Sequence, residues 1–405
     1  MTLLAEPRSS LLPPPTAPIE RVVGEAAPIV ASDAESALVR SFLAMPRGLL
    51  LAGRLARTGR CGDRLREVAE RFSLPVMTTL AAKGVLDERH PLSFGSIGGT
   101  ATCHGVRLWR DSRKTNLLPI GCDFSAVGMV EGEAIATADG RPVSPLSETL
   151  GGAEADASGA SLLEAMLALG SDAVAAAVEA RRAWVAEMRS GPRVLESTDM
   201  PPPDTIALHR FVGLLADHWP PDSILFSDAG LTRAYLGHFW QARSPAHFHS
   251  MPQSAPMGWA LAAGVGSALA DPRRTSLVVI GDGSMRMLGT ELATAARYQA
   301  PVKVLLSENG MLGNVFLRVR DNSVAAAELS VSGAVDWVSF SHSLGVPARR
   351  ATNIAEYEEG LQWLHRAPGP ALLVARTAAR SLSDLWRDHD ERVDPNLAMQ
   401  HADSW

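Results

Sequence analysis

The chain has 405 residues, more than one ordinary core takes up, and cores of roughly 100 to 200 residues predict two folded units. Hydrophobic residues make up 46% and charged residues 20%, enough apolar material for buried sheets and too much for a disordered chain. The formal net charge of −6 supplies no basic field for a nucleic-acid backbone, so nucleic acid is not an expected partner.

The first 31 residues carry three consecutive prolines, Pro13, Pro14 and Pro15, and no apolar run of signal-peptide length. They are expected to form a disordered or docking tail. No stretch of about 18 apolar residues occurs, so no membrane span is expected and the cytoplasm is the expected location. Cys61, Cys103 and Cys122 show no C-x-x-C spacing. They suggest neither a disulfide framework nor a zinc site, and read as small buried hydrophobes in a reducing compartment.

From Ser32 onward ESALVRSFLA has helical spacing, and the apolar run GLLLAG (Gly48 to Gly53) reads as a buried strand. A helix through CGDRLREVAERF follows, then the strand-like LPVMTTL from Leu74 to Leu80, with Gly84 ending the next loop. Leu117 to Gly121 continues the alternation, which implies a parallel sheet with right-handed crossovers, a small Rossmann-like domain over 32–190. Val127 to Gly170 is rich in Ala, Gly, Ser and acids, with only ATADGRPV resembling a strand, and reads as a reduced edge. The helix Ala173 to Arg189 and the proline-bearing Ser190 to Pro203 form a connector.

The second domain is expected over 191–385, with a C-terminal tail over 386–405. Ile206 to His218 is an amphipathic helix, Ser223 to Ser227 a strand, Trp259 to Leu269 a helix of small residues and Ser276 to Ile280 a β-branched strand. The expected fold class is α/β: two Rossmann-like domains with mainly parallel sheets flanked by helices.

The strand SLVVI runs into Gly281, Asp282, Gly283 and Ser284; a helix through LGTELATAARY follows, and the strand PVKVLLS ends at Glu308 and Asn309. The interval from Asp282 to Asn309 is what one crossover helix between parallel strands takes. Both side chains should therefore emerge at neighbouring C-terminal strand ends, where open α/β sheets bind ligands. A small hard cation such as Mg²⁺ takes a few protein oxygens and keeps positions for phosphate and water, a role that suits Asp282 and Asn309. Gly281 and Gly283 permit close backbone approach, and the following helix N-terminus suits a diphosphate. A GDG tripeptide alone also fits an ordinary turn.

GDGSMRMLGTELATAARYQAPVKVLLSENG resembles the signature of the thiamine diphosphate enzyme superfamily. The resemblance implies metal ligation by the side chains of Asp282 and Asn309 and the carbonyl of Met311. Upstream, APMGWALAAGVGSALA is similar to the family's Met-Gly segment, which makes Met257 the apolar wedge beneath a bent cofactor and the Ala255 carbonyl the acceptor for its aminopyrimidine. SDAGLTRAYLGHF resembles the family's DVG-type turn and implies diphosphate contacts from Gly230, Leu231 and Thr232. Arg286 departs from the usual uncharged residue, either as a phosphate partner or as a solvated helix residue. His247 and His249 precede the Met257 loop and either face a substrate or have no catalytic role. Glu291 is read as structural or solvent-facing, with no catalytic role.

The segments LLLAGR, LPVMTTLAAKGVLDERHPLSFGSIGG and LLPIGCDF resemble the central domain of acetolactate-synthase-like members, and NGMLGNV follows the same branch, whereas FLRVRD departs from it. That branch places an Arg where this chain has CDFSAV, so FAD is not expected. Family members of full length begin with a domain that binds the aminopyrimidine and supplies the activating glutamate, and nothing before Ser32 resembles it. The resemblance thus implies one part of a split enzyme that decarboxylates a 2-oxo acid and transfers the acyl unit to an acceptor. No catalytic residue is assigned within this chain. The activating Glu is expected on a separate pyrimidine-binding subunit, in a heteromer with two copies of each chain. The alternatives are a split decarboxylase of the sulfopyruvate or phosphonopyruvate type and a non-catalytic assembly subunit.

Overall fold

The tetrapeptide LLLA at Leu49–Ala52 (β1) is buried at every position, and its pleat explains why all four residues are apolar. Leu50 and Ala52 face one apolar cluster with Phe42, Leu65, Val68, Phe72 and Leu162. Leu49 and Leu51 face the other with Met77, Phe94, Leu108, Trp109 and Trp184. A strand covered on both faces reads as a continuous hydrophobic run because neither side of the period-two alternation meets water. The computed structural model describes residues 33–57, 61–112, 117–122, 159–194, 201–220, 222–251, 255–319 and 328–378.

β1 lies inside a four-stranded parallel sheet with β2 (Val76–Thr78), β3 (Ser93–Ser96) and β4 (Leu117–Ile120), in the order β3-β2-β1-β4. Leu50 sits opposite both Val76 and Leu118. Helices Asp33–Leu43, Cys61–Phe72 and Ala160–Ala168 supply one apolar face, and Cys103–Asp111 and Ala175–Met188 the other. The buried Arg181 guanidinium donates to the carbonyls of Phe72, Leu43 and Met45. It satisfies carbonyls at the C-terminal ends of two helices that would otherwise be orphaned.

The second sheet has six parallel strands: β5 (Ile224–Ser227), β6 (Phe248–Ser250), β7 (Ser276–Gly281), β8 (Val302–Glu308), β9 (Ala348–Ala351) and β10 (Ala371–Arg376), in the order β6-β5-β7-β8-β10-β9. Leu225, Leu277, Val279, Leu305 and Leu373 face one cluster with Phe211, Leu236 and Tyr357. Ile224, Phe226, Val278, Ile280, Val304 and Val374 face the other with Leu261, Val265, Met285 and Trp337. The fold is thus α/β with two parallel sheets flanked by helices, as expected from the alternation of apolar strands and helical segments.

Two details differ from the sequence reading. The crossover after β7 is two helices, Asp282–Leu288 and Glu291–Tyr298, with Gly289 and Thr290 between them. At Gly289 a Cβ would stand 2.5 Å from the Met285 carbonyl oxygen, so this turn accepts only glycine. Strands β3, β6, β9 and β10 carry no predicted counterpart; short runs such as Phe248–Ser250 show too few residues for a period to be read, whereas the apolar run ALLVA of β10 was legible and was missed. The strand-like ATADGRPV, both tails and most of CDFSAV lie outside the described residues. Cys61 is buried, Cys103 and Cys122 are partly buried, and no disulfide joins them. Among the described residues no single helix is long and apolar enough to cross a membrane.

Candidate functional site

β5, β7 and β8 are hydrogen-bonded neighbours, with Ser227 opposite Val279 and Gly281 opposite Ser307. Their C-terminal ends therefore deliver Asp228, Asp282 and Asn309 to one edge of the sheet. The peptide N–H of Asp228 donates to the Val279 carbonyl (3.0 Å), which ties the first of these turns to the middle strand.

Asp282 is buried, 3% exposed. Its Oδ1 accepts from the Gly283 N–H (2.9 Å) and its Oδ2 from the Gly310 N–H (2.8 Å), so one carboxylate joins the GDG turn to the loop after β8. Asn309 Oδ1 accepts from the Met311 N–H (3.0 Å), which holds that loop in a compact turn. Residues 328–332 close over the loop from outside. Met311 forms an antiparallel bridge with Val331, Leu312 N–H donates to the Ser330 carbonyl (2.7 Å) and Ser332 N–H to that of Gly310 (2.8 Å).

Burial pushes the Asp282 carboxyl above its ordinary range, and neighbouring Glu308 adds to the rise. The two backbone donors and Arg286 pull the other way without cancelling it. A carboxylate in that position gains stability from a cation placed against it. The Asp228 carboxyl is likewise raised by burial, against hydrogen bonds from Ser284, Gly258, Ala260 and Ala229.

The remaining predicted residues are contiguous with this pair. A Cβ placed on Gly283 would stand 2.5 Å from Leu312 Cδ2 and 3.2 Å from Met257 Cε, so the Met257 side chain reaches the GDG turn. A Cβ on Gly313 would stand 2.0 Å from Leu231 Cδ1 and 3.5 Å from Asn309 Nδ2, which places Leu231 beside Asn309. Thr232 is buried and its Oγ1 has no hydrogen-bond partner among the described residues. Ser284 reaches Asp228. Ala255 has φ of 42°, a left-handed conformation uncommon outside glycine that recurs at functional sites; the preceding residues 252–254 lie outside the described chain.

Sequence reasoning missed Asp228. Its Oδ1 accepts from the Gly258 N–H (3.0 Å) and its Oδ2 from the Ala260 N–H (2.8 Å), so it caps helix Trp259–Ala270 and fixes the Met257–Gly258 step against the SDAG turn. No local spacing signals a partner some thirty residues away. Arg286 donates to the carbonyls of Gly333 and Ser332 and lies 5.8 Å from the centre of the Trp337 ring. Its engagement is with the closing segment. His249 stacks on Phe226 (5.1 Å between ring centres) with its Nδ1 3.4 Å from Arg57 Nη2, and Glu291 accepts from Thr294 (3.0 Å), a structural contact.

Two family models match this chain. The thiamine pyrophosphate enzyme central domain matches residues 36–138, and the C-terminal TPP binding domain of the same enzymes matches residues 228–375, a span that holds Asp228, Met257, Asp282 and Asn309. The chain belongs to the thiamine pyrophosphate enzyme family. Its TPP-binding domain is the six-stranded unit just described.

Similar proteins of the family include a probable acetolactate synthase large subunit of Methanococcus aeolicus, 24% identical over 83% of this chain and 59% of its own length. The acetolactate synthase isozyme 1 large subunit of Escherichia coli K12 is 27% identical over 78% of this chain and 56% of its own length. A 3D-(3,5/4)-trihydroxycyclohexane-1,2-dione hydrolase of Clostridium perfringens is 22% identical over 83% and 58% respectively. The chain therefore spans less than two thirds of these relatives.

Proposed function

We propose that this chain is the diphosphate-holding part of a thiamine diphosphate-dependent, acetolactate-synthase-like enzyme that decarboxylates a 2-oxo acid and transfers the acyl unit to an acceptor. The observation that carries the reading is the open floor beside a buried carboxylate. A Cβ built on Gly230, Gly281 or Gly310 meets no heavy atom within 4 Å, and these three glycines flank Asp282 and Asn309 at neighbouring strand ends. The donor set is one carboxylate, one amide oxygen and one main-chain carbonyl, that of Met311, an all-oxygen set that suits Mg²⁺ and its preference for few protein ligands. Among the described residues no cluster of three or more His, Cys, Asp or Glu offers a competing metal site.

In this reading Asp282, Asn309 and the Met311 carbonyl hold the metal. Gly230, Leu231, Thr232, Gly281, Gly283 and Ser284 line the diphosphate, Met257 supports the thiazolium ring and the Ala255 carbonyl accepts from the aminopyrimidine. When bound, the cofactor supplies an electron sink for the pair released as carbon dioxide leaves a 2-oxo acid. The chain's own contribution is positional. Asp228 holds Met257 in register with the GDG turn, Asp282 holds the Asn309 loop, and Leu231, Leu312 and Met257 exclude water around the polar set. Support for the acetolactate-synthase-like reaction comes from the named relatives. We assign the activating glutamate to a separate pyrimidine-binding subunit, two copies of each chain forming the heteromer.

Titration calorimetry of the assembled protein with thiamine diphosphate and Mg²⁺ tests the site. Asp282→Ala and Asn309→Ala are each expected to abolish metal-dependent binding while circular dichroism stays native. Each orphaned backbone donor costs about 1–3 kcal/mol, less than the 5–15 kcal/mol by which a domain is ordinarily stable. Undiminished affinity in both variants would remove the metal assignment.

A further inference from the structure

Helix Leu231–Phe239 begins at Gly230, on the floor of the candidate diphosphate site, and its other end is gripped by the four-stranded unit. Lys83 and Glu88 form a bidentate ion pair (Nζ to Oε1 2.7 Å, to Oε2 2.6 Å), with both side chains fully buried. The same ammonium donates to the Gly237 carbonyl in the last turn of that helix (2.9 Å). Glu88 continues across the junction: its Oε2 accepts from the Ala242 N–H (2.9 Å), and its own N–H donates to the Ala242 carbonyl (3.0 Å).

Backbone packing at the junction is equally close. A Cβ on Gly237 would lie 2.4 Å from Thr100 Cβ, and one on Gly84, whose φ is +85°, would lie 2.6 Å from the Ser244 carbonyl oxygen. His238 Nδ1 lies 2.7 Å from the Ala101 carbonyl oxygen. Arg57 makes a second tie, donating to the carbonyls of Ala81 (2.7 Å) and Pro245 (2.6 Å). A buried charge is retained where every donor and acceptor is matched, and the third bond of this ammonium is spent on the helix that carries Gly230, Leu231 and Thr232.

We propose that Lys83, oriented by Glu88, is a positioning residue: it clamps helix Leu231–Phe239 from the four-stranded unit and so fixes Gly230, Leu231 and Thr232 against the diphosphate. The clamp stands on the contacts above, and its consequence for the cofactor rests on the function proposed for the site. The four-stranded unit then has a task at the candidate site of the six-stranded one.

The test uses the full chain. In Lys83→Met/Glu88→Gln the Gln side chain keeps an acceptor for the Ala242 N–H and no unpaired charge stays buried, so the fold survives. Hydrogen exchange of amides 231–237 is expected to speed up about tenfold, which corresponds to about 1.4 kcal/mol, with the helices Trp259–Ala270 and Cys61–Phe72 unchanged. Affinity for thiamine diphosphate with Mg²⁺ is expected to fall by a similar factor. Gly237→Ala should reproduce both effects, and Thr100→Gly added to it should restore both by removing the atoms it strikes. Unchanged exchange over 231–237, or a uniform rise across the six-stranded unit, would overturn the clamp. Faster exchange with unaltered affinity would overturn the positioning role. Failure of the wild-type chain, assembled with a pyrimidine-binding subunit, to bind thiamine diphosphate would instead overturn the function proposed for the site, while the exchange result still decides the clamp.

Discussion

Two of the residues that build the candidate site are visible one at a time, and the third is not. Asp282 and Asn309, the pair proposed to hold a metal, announce themselves because polar side chains at the ends of two strands joined by one crossover leave a fixed interval in the chain. Asp228 sits in a turn with no such interval, yet it receives the N–H groups of Gly258 and Ala260 and so sets where Met257 points. Met257→Ala, in the assembled enzyme, is expected to lower turnover more than cofactor retention, since the diphosphate anchors lie elsewhere and only ring geometry is loosened. Comparing kcat with the cofactor concentration for half-saturation checks this, and equal losses would assign Met257 a packing role alone.

At the scale of elements, most strands were legible as short apolar runs, with β10 the exception, and the helices where apolar residues recur on one face. The crossover after β7 was read as one helix because both of its segments are helix-compatible, whereas the structure interrupts it at Gly289 and Thr290, where glycine is a poor helix former. Helix Trp259–Ala270 shows why small residues are placed where they are: a Cβ at Gly264 would stand 2.3 Å from Val278 Cγ2 on β7. Gly264→Ala is therefore expected to destabilise by about 1–3 kcal/mol through overpacking, read as a shift in the urea midpoint, and Val278→Ala in the same chain should recover part of it.

Lys303 on β8 offers a pH test of another element contact. Its ammonium is buried and donates to the carbonyls of Ala367 and Gly369, beyond the end of helix Ile354–Arg366. Burial lowers its pKa from 10.5 to about 8. Between those values the unfolded chain holds a proton that the native chain has released, so stability should rise with pH across that window. The unfavourable contribution is complete below about 8 and fades as pH rises through it. Denaturation of wild type and Lys303→Met from pH 7 to 10.5 checks this; a difference between them that does not move with pH would refute the assignment.

For the whole molecule, the two sheets meet through the Lys83, Glu88 and Arg57 contacts rather than standing as independent beads. None of these was singled out beforehand, because a Lys and a Glu five residues apart in a loop look like ordinary surface charges until a second unit buries them. The proposed division of labour between chains gives the broadest expectation: alone, this chain releases no carbon dioxide from pyruvate or other 2-oxo acids, and it gains activity with a pyrimidine-binding subunit. Co-expression, size-exclusion chromatography and a carbon dioxide assay check it, and robust turnover by the chain alone would refute the split site.

The α/β class, the parallel sheets and the Asp282–Asn309 pair were determined by the sequence itself, since apolar periodicity and motif spacing are local properties of the chain. Only the tertiary structure decided that Asp228 joins three segments, that Arg286 serves the closing segment, and that Lys83 reaches helix Leu231–Phe239. Each of those depends on which groups lose water together, and burial is a property of the assembled layers that no stretch of chain carries alone.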